Sequence, residues 1–374
     1  MNFLFACGGT AGHINPALAV ASELCRLSQD TKILFIGAGR DMEKRLIPKA
    51  GYDLENIRMS GLKRGFSPED MMHNLKTMRN LATAGRDAGK IIKRFMPNAV
   101  IGTGGYICYP VLRKAAHMGI PTIVHEANAV PGLTTKLLSS VVDRVLISFR
   151  GLEKHYRLPE RVLFTGTPVR YGFDNHSVEN DAAESSRKPV VLSFWGSLGA
   201  ERMNDSIAEF IKLNIESGKF DHIHAMGRMC GLVDMKERLK RIGAEDELPP
   251  GVEVRDYIDD MQPIMAKADI VLCRAGGSTI AELTSMGKPA VLIPSPYVSN
   301  NEQEKNAEQL EMAGGAVVLP EKDCTGEVLF RTVSEILGDP DRLRRMSEAQ
   351  EALGNPKATE QIAELVLSLA NKKQ

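Results

Sequence analysis

NFLFACGGTAGHINPALAVASELCRL (Asn2–Leu27) is the segment from which the architecture is read. Asn2 to Ala6 is a short apolar run, Gly8-Gly9-Thr10-Ala11-Gly12-His13 is a glycine-rich turn, and Pro16–Leu27 repeats apolar residues at helical spacing. Together they read as strand, turn, helix. Outward along the chain the same unit recurs. KILFIG (Lys32–Gly37), AVIGTGG (Ala99–Gly105), PTIVHE (Pro121–Glu126) and DRVLISF (Asp143–Phe149) read as buried strands with helical stretches between them. Short apolar strands alternating with helices predict an α/β fold with a parallel sheet covered on both faces.

Residues 157–189 break the rhythm, with TGTPVR followed by the polar stretch HSVENDAAESSRKP. A domain junction is expected near Thr167–Tyr171, and the polar stretch is expected to be a surface loop. A second series then begins. PVVLSFWGSLGAERMN (Pro189–Asn204) is again strand, glycine turn, helix; HIHAMG (His222–Gly227), VEVRDYI (Val252–Ile258), DIVLCRAGG (Asp269–Gly277) and PAVLIPSP (Pro289–Pro296) look like further strands. The expectation is two doubly wound domains, 1–168 and 169–357. A last amphipathic helix, about 358–374, packs back on the first. Doubly wound domains bind ligands at the carboxyl ends of their strands, and two facing each other make a cleft.

A chain of 374 residues is too long for one ordinary core and suits two domains. Aromatic residues are only 5%, with a single Trp195, which argues against an oligosaccharide-stacking groove or a single-strand nucleic-acid platform. The zero net charge hides an asymmetry. Residues 1–170 hold 24 Lys and Arg against 13 Asp and Glu; the remainder holds 23 against 34. The first half is therefore expected to meet something anionic. The six cysteines show neither metal-ligand nor redox spacing and read as free thiols. MNFLFACGGT does not look like a secretory leader, and no run approaches the roughly 20 apolar residues of a spanning helix. Any membrane contact is expected to be peripheral.

The candidate site residues lie at strand ends. The turn Gly8–His13 lets the backbone approach a phosphate at a helix N-terminus; it is neither the dinucleotide fingerprint nor a Walker loop. His13, at the start of that helix, has the chemistry of a general base, although a lone His is more often structural. Gly102-Thr103-Gly104-Gly105-Tyr106 is a second such turn, or a plain tight connection. His125-Glu126-Ala127-Asn128 puts polar groups at a strand end, where they serve a site or cap the next helix. Gly196-Ser197-Leu198-Gly199-Ala200 mirrors the opening turn in the second domain. In Gly277-Ser278-Thr279-Ile280-Ala281-Glu282, amides and hydroxyls suit a diphosphate, and the carboxylate, expected in the first helical turn, suits two ribose hydroxyls. Its bland alternative is to complement the helix dipole. Asn300, Asn301, Gln303 and Asn306 suit sugar hydroxyls. Gly61–Phe95 interleaves Lys63, Arg64, Lys76, Arg79, Arg86, Lys90, Lys93 and Arg94 with Leu62, Phe66, Met71, Met72 and Leu75, which suits an anionic bilayer surface or a solvated helix face.

GGTAGHINPALA, GTGGY, HEAN, TGTPVR, GSLGA, DYIDDM, CRAGGSTIAEL and the Asn/Gln-rich loop occur in one order. From about Phe3 to Asn306 that order resembles the MurG family, UDP-N-acetylglucosamine transferases that make the final lipid-linked peptidoglycan precursor. The resemblance implies two Rossmann-like domains of the GT-B fold. It implies transfer of N-acetylglucosamine from UDP to the muramyl 4-hydroxyl of undecaprenyl-pyrophosphoryl-N-acetylmuramyl-pentapeptide. Ile258 would pair its backbone with uracil, and Glu282 would hold the ribose. Ser197, Gly277, Ser278, Thr279, Ile280 and Ala281 would surround the diphosphate. Gln303 and Asn128 would meet the sugar, and Arg170 would lie near the nucleotide. Thr10, Ala11 and Gly12 would border donor sugar and acceptor pyrophosphate, with His13 as base. Gly104, Gly105, Tyr106, His125 and Glu126 are candidates for the acceptor. Ala11, Ala127, Trp195 and Leu198 depart from the family's usual residues.

The reaction expected is a single inverting displacement through an oxocarbenium-like transition state. It needs no metal or cofactor: adjacent Asp259-Asp260 point apart and make a poor clamp. The expected place is the cytoplasmic face of the plasma membrane, with cell-wall synthesis or division proteins as candidate partners and no nucleic acid. Rival readings are a UDP-N-acetylglucosamine 2-epimerase, a glycolipid-forming transferase and a non-catalytic, membrane-bound UDP-sugar sensor.

Overall fold

The computed structural model describes residues 1–59, 67–170, 172–173, 187–229, 232–244 and 248–372. The chain forms two compact units, Met1–Tyr171 with Lys357–Gln374, and Gly172–Pro356. The first unit carries β1 (Asn2–Cys7), β2 (Lys32–Gly37), β3 (Asp53–Asn56), β4 (Ala99–Gly104), β5 (Thr122–Glu126), β6 (Arg144–Ile147) and β7 (Val162–Phe164). They lie in the order β3-β2-β1-β4-β5-β6-β7, and every pairing is parallel. Its helices are α1 (Ala11–Leu27), α2 (Asp41–Lys49), α3 (Pro68–Phe95), α4 (Cys108–His117) and α5 (Leu133–Leu138).

Alternation along β1 shows why both faces are covered. Phe3, Phe5 and Cys7 bury into one cluster with Ile14, Val20 and Leu24 of α1, while Leu4 and Ala6 bury into the other with Ala88 and Ile92 of α3 and Val111 and Leu112 of α4. Phe5 stacks on Phe35 of β2, with ring centroids 5.2 Å apart.

The second unit repeats the plan. Its strands are β8 (Val190–Phe194), β9 (Asp221–Ala225), β10 (Val252–Arg255), β11 (Ile270–Cys273), β12 (Ala290–Leu292) and β13 (Ala316–Val318), parallel in the order β10-β9-β8-β11-β12-β13. Its helices are α6 (Glu201–Ser217), α7 (Leu232–Arg241), α8 (Met261–Lys267), α9 (Gly277–Ser285), α10 (Glu302–Met312), α11 (Gly326–Leu337) and α12 (Pro340–Leu353). In both sheets the order reverses beside the first strand, β1 or β8, and each of these ends in a glycine turn.

The last helix, α13 (Ala358–Asn371), belongs to the first unit. Ile362, Ala363, Val366 and Ala370 complete the cluster on α1, and the Thr359 hydroxyl donates to the Val169 carbonyl at 2.8 Å. Among the described residues no helix is long and apolar enough to cross a membrane. Cys7, Cys108, Cys273 and Cys324 are free and buried, and Cys25 is half-buried. Cys230 and most of the polar stretch after Asn175 lie outside the described residues.

Candidate active site

In the first unit, two glycine turns close around one imidazole. His13 sits in the first turn of α1, and its Nδ1 lies 2.9 Å from the Gly8 carbonyl. A carbonyl only accepts, so Nδ1 carries the proton and Nε2 keeps the lone pair. The turn after β4 packs on this ring. A Cβ on Gly104, whose φ is +124°, would stand 2.3 Å from His13 Cδ2, and one on Gly105 would stand 2.6 Å from the Gly8 carbonyl oxygen. Only glycine allows that approach. The buried Thr103 hydroxyl donates to the main-chain carbonyl of His13 at 2.6 Å. Two stretches far apart in sequence thus form one constellation, with Thr10, Ala11 and Gly12 beside it.

Glu43, which the sequence did not single out, ties this constellation down. It is fully buried at the third position of α2. Its carboxylate accepts from Gly9 N–H at 3.0 Å, Gly39 N–H at 2.8 Å and Arg40 N–H at 3.0 Å, which joins the turns after β1 and β2. Arg40 Nε then donates to the Tyr106 hydroxyl at 3.2 Å, which brings in the turn after β4. The available signal was the Glu at N3 of a helix, the position from which a carboxylate reaches back to preceding N–H groups.

His125 and Glu126 are placed differently from expectation. His125 is 2% exposed, and its Nε2 donates to the Gly166 carbonyl at 3.0 Å. Burial pushes its ionisation down to about 4, so the ring is neutral at pH 7. Glu126, 5% exposed, accepts from the Asn128 N–H and Nδ2 at 3.3 Å each and from Gly132 N–H at 2.9 Å. These bonds run inward. They hold the loop that presents Asn128 instead of offering His125 and Glu126 to an acceptor. Asn128 does not cap α5, whose N-cap is Gly132. Arg170 is exposed at the end of the unit.

In the second unit, the turn after β8 is held backbone to backbone. A Cβ on Gly199 (φ +85°) would lie 2.2 Å from the Met226 carbonyl oxygen, and the Ser197 carbonyl accepts from Arg228 N–H at 3.1 Å. A fully buried polar chain stands behind Met226. Ser193 Oγ is 2.8 Å from His222 Nε2 and 2.7 Å from His224 Nδ1, and Asn204 links His224 Nε2 (3.3 Å) to the Met226 carbonyl (3.1 Å). Trp195, a departure from the family pattern, is buried in the core with Arg274 over its ring at 5.9 Å. Arg274 pairs with buried Glu321 at 2.6 Å and donates to the Ile293 carbonyl at 3.0 Å, which fixes the end of β11.

From that end α9 starts at Gly277, with Gly276 as N-cap and no side-chain cap. The helices that follow the glycine turns of β1 and β8, α1 and α6, also begin without one, as do α4, α5, α8, α10 and α13. Uncapped starts suit an anion. Glu282 is the sixth residue of α9, in its second turn and not its first, so the helix dipole does not account for it. Ile258, in the turn after β10, is buried. Beside it, the Arg228 guanidinium stacks 3.8 Å over Tyr257 and lies 3.6 Å from Asp259. Gln303 accepts from Ser295 N–H at 2.9 Å through Oε1, so its amide nitrogen is the donor end. Asn306 donates to the Ala275 carbonyl at 3.0 Å.

Two parallel sheets, each with a glycine turn feeding a helix, are the plan of the GT-B fold. The chain matches the glycosyltransferase family 28 N-terminal domain over residues 3–147 and its C-terminal domain over residues 190–362. It is 41% identical to the UDP-N-acetylglucosamine–N-acetylmuramyl-(pentapeptide) pyrophosphoryl-undecaprenol N-acetylglucosamine transferase of Acetivibrio thermocellus, over 100% of this chain and 99% of that one. It is 39% identical to a transferase of the same description from Bacillus cereus, over 100% of both. The chain belongs to glycosyltransferase family 28, within the family of these N-acetylglucosamine transferases, and is a hexosyltransferase.

The fold matches that of Acinetobacter baumannii MurG, with a TM-score of 0.75 and 24% identity over 98% of this chain and 99% of that one. It also matches a Neisseria meningitidis UDP-GlcNAc 2-epimerase, with a TM-score of 0.64 and 13% identity over 98% of this chain and 100% of that one. The fold alone therefore does not separate the two activities; the sequence relatives do.

Proposed function

We propose that this enzyme transfers N-acetylglucosamine from UDP-N-acetylglucosamine to the muramyl 4-hydroxyl of the undecaprenyl-pyrophosphate-linked muramyl-pentapeptide, with inversion and with His13 as base. The observation that carries the reading is the Nδ1–H bond of His13 to Gly8, which leaves Nε2 to accept a hydroxyl proton. Thr10, Ala11 and Gly12 border the transferred sugar and the acceptor pyrophosphate, with Gly104, Gly105 and Tyr106 beside them.

The second unit holds the nucleotide: Ile258 the uracil, Glu282 the ribose, and Ser197 with Gly277–Ala281 the diphosphate. Gln303 meets the sugar. As UDP leaves, its growing charge is met by the start of α9 and the Ser278 and Thr279 hydroxyls, so the chemistry needs no divalent ion.

The acceptor's lipid fits a peripheral place on the cytoplasmic membrane face. Met71 and Met72 near the start of α3, and Leu133 and Leu137 of the short α5, are exposed on helices that follow strands of one sheet. Arg86, Lys90 and Lys93 repeat along the exposed face of α3, and Lys136 is exposed on α5. Apolar and basic groups together suit an anionic surface. Leu62, Lys63, Arg64 and Phe66 lie outside the described residues, as do the side chains of Leu75, Lys76 and Arg79.

The deciding assay follows radiolabelled N-acetylglucosamine from UDP to a short-chain analogue of the muramyl-pentapeptide lipid, with wild type and His13→Ala side by side. Loss of transfer in the variant by about 10²–10⁴-fold, with UDP binding retained, is the expected result. Full transfer by the variant removes His13 as base and keeps the function. No transfer by wild type that still binds UDP-N-acetylglucosamine tightly returns the epimerase or sensor reading.

A further inference from the structure

Resting on the reading of His13 as base, we propose that Glu43 acts on His13 through the Gly8–Gly9 peptide bond, as a positioning residue that the imidazole never touches. The two contacts sit on opposite ends of one peptide group. Gly9 N–H donates to Glu43 Oε1 at 3.0 Å, and the Gly8 carbonyl accepts from His13 Nδ1–H at 2.9 Å. Resonance joins those ends through the planar amide. An anion accepting from the N–H draws electron density toward the carbonyl oxygen and makes it the stronger acceptor, as in any chain of hydrogen bonds that polarise one another.

The consequence falls on the step in which charge appears. When Nε2 takes the proton of the attacking hydroxyl, the ring becomes an imidazolium whose Nδ1–H bond strengthens. In a nucleophile–base–acid triad, the acid holds the ring in one tautomer and balances its positive charge directly. Here the same work is passed through a peptide.

The surroundings favour this assignment. Glu43 is fully buried, and among the described residues no basic side chain forms an ion pair with it; Gly9, Gly39 and Arg40 N–H groups are its partners. Three peptide N–H groups and the first turn of α2 hold the carboxylate where it meets the Gly9 N–H. The other groups facing His13 do not bond its ring. The Thr103 hydroxyl takes its main-chain carbonyl, and buried His125 acts on it only through space. Gly104 leaves open the space that the ring fills, since a Cβ there would stand 2.3 Å from Cδ2.

Glu43→Gln keeps the size and removes the charge. Four forms are compared: wild type, Glu43→Gln, His13→Ala and the double variant. Each is assayed for kcat and for the KM of UDP-N-acetylglucosamine, and histidine-labelled protein is read by ¹⁵N NMR, with His13→Ala assigning the His13 signals. The relay predicts that Glu43→Gln lowers kcat by about tenfold to a hundredfold while the donor KM stays within about twofold. It predicts that His13 changes from a single Nδ1–H tautomer to a mixture. It also predicts that the double variant is no slower than His13→Ala, because both changes act on one unit.

Losses that multiply in the double variant, or an unchanged tautomer in Glu43→Gln, overturn the relay and leave Glu43 as a pin for two turns. If Glu43→Gln does not fold, the wild-type spectrum decides, since a ring protonated on Nε2 is incompatible with the relay. Transfer that survives His13→Ala removes the base itself, and is distinguished by that variant alone.

Discussion

His13 has one ring nitrogen engaged and one available, and the residues that enforce this are small. Gly104→Ala puts a methyl 2.3 Å from the imidazole in a backbone conformation of φ +124°. The strain is about 1–3 kcal/mol, and relief requires the ring or the turn to move. The expected result is a loss of at least about tenfold in kcat, with UDP affinity unchanged; equal activity in steady-state transfer assays would show that the ring position is not critical. Gly51→Ala, in the turn after α2, is the control: its φ is +86° and nothing lies within 4 Å of the added carbon, so it strains a turn that does not bond His13. The sequence exposed His13 and the glycines because a turn after an apolar run is a local pattern. Glu43 was hidden because its significance lies in a partner 34 residues away, and Thr103, named only as part of a turn, has its partner 90 residues away. His125 and Glu126 looked functional because polar residues at a strand end are unusual, yet here His125 Nε2 bonds the Gly166 carbonyl and Glu126 holds the loop at Asn128.

Helix α9 shows how a boundary shift of a few residues changes an argument. Glu282, expected in the first turn, stands in the second, where the dipole of nine residues has little hold on it. A ribose-binding role then predicts a specific defect. Glu282→Ala should weaken UDP-N-acetylglucosamine by about ten- to a hundredfold, the worth of hydrogen bonds to a charged acceptor. It should also abolish discrimination against the 2′-deoxy nucleotide. Isothermal titration with both nucleotides tests this, and retained discrimination would assign the ribose elsewhere. The strands that went unseen in the sequence have a common cause. β3, β7 and β13 lie at sheet edges and are four, three and three residues long. An edge strand buries less, so DLEN (Asp53–Asn56) carries no apolar run. Central strands, buried on both faces, were legible for the opposite reason.

Across the molecule, each unit hides histidines that stay neutral. Burial holds His125 down to about 4 and His224 to about 3; His222 is pushed well below its ordinary value by burial and by His224. The ordinary value is 6.5. Below that pH the unfolded chain binds protons that the folded chain refuses until about pH 4. This stability is therefore complete above pH 6.5 and is lost as the pH falls. At pH 5 His125 alone accounts for about 2 kcal/mol. Urea midpoints should fall between pH 7 and pH 5. His125→Asn should start lower at pH 7 yet lose less over that interval; parallel slopes would place the effect elsewhere.

Because α13 seats on α1, the chain leaves the first unit at Gly172 and re-enters it at Lys357. During synthesis the strands of the first unit emerge from the ribosome early, but the apolar floor formed by Phe3, Phe5, Ile14, Val20 and Leu24 waits for Ile362 and Val366, which emerge last. The second unit, begun later, needs no segment from the far end of the chain. Order of translation and order of completion are thus reversed, and a released chain cut short near Pro356 would carry a finished second unit joined to a first one still open along α1.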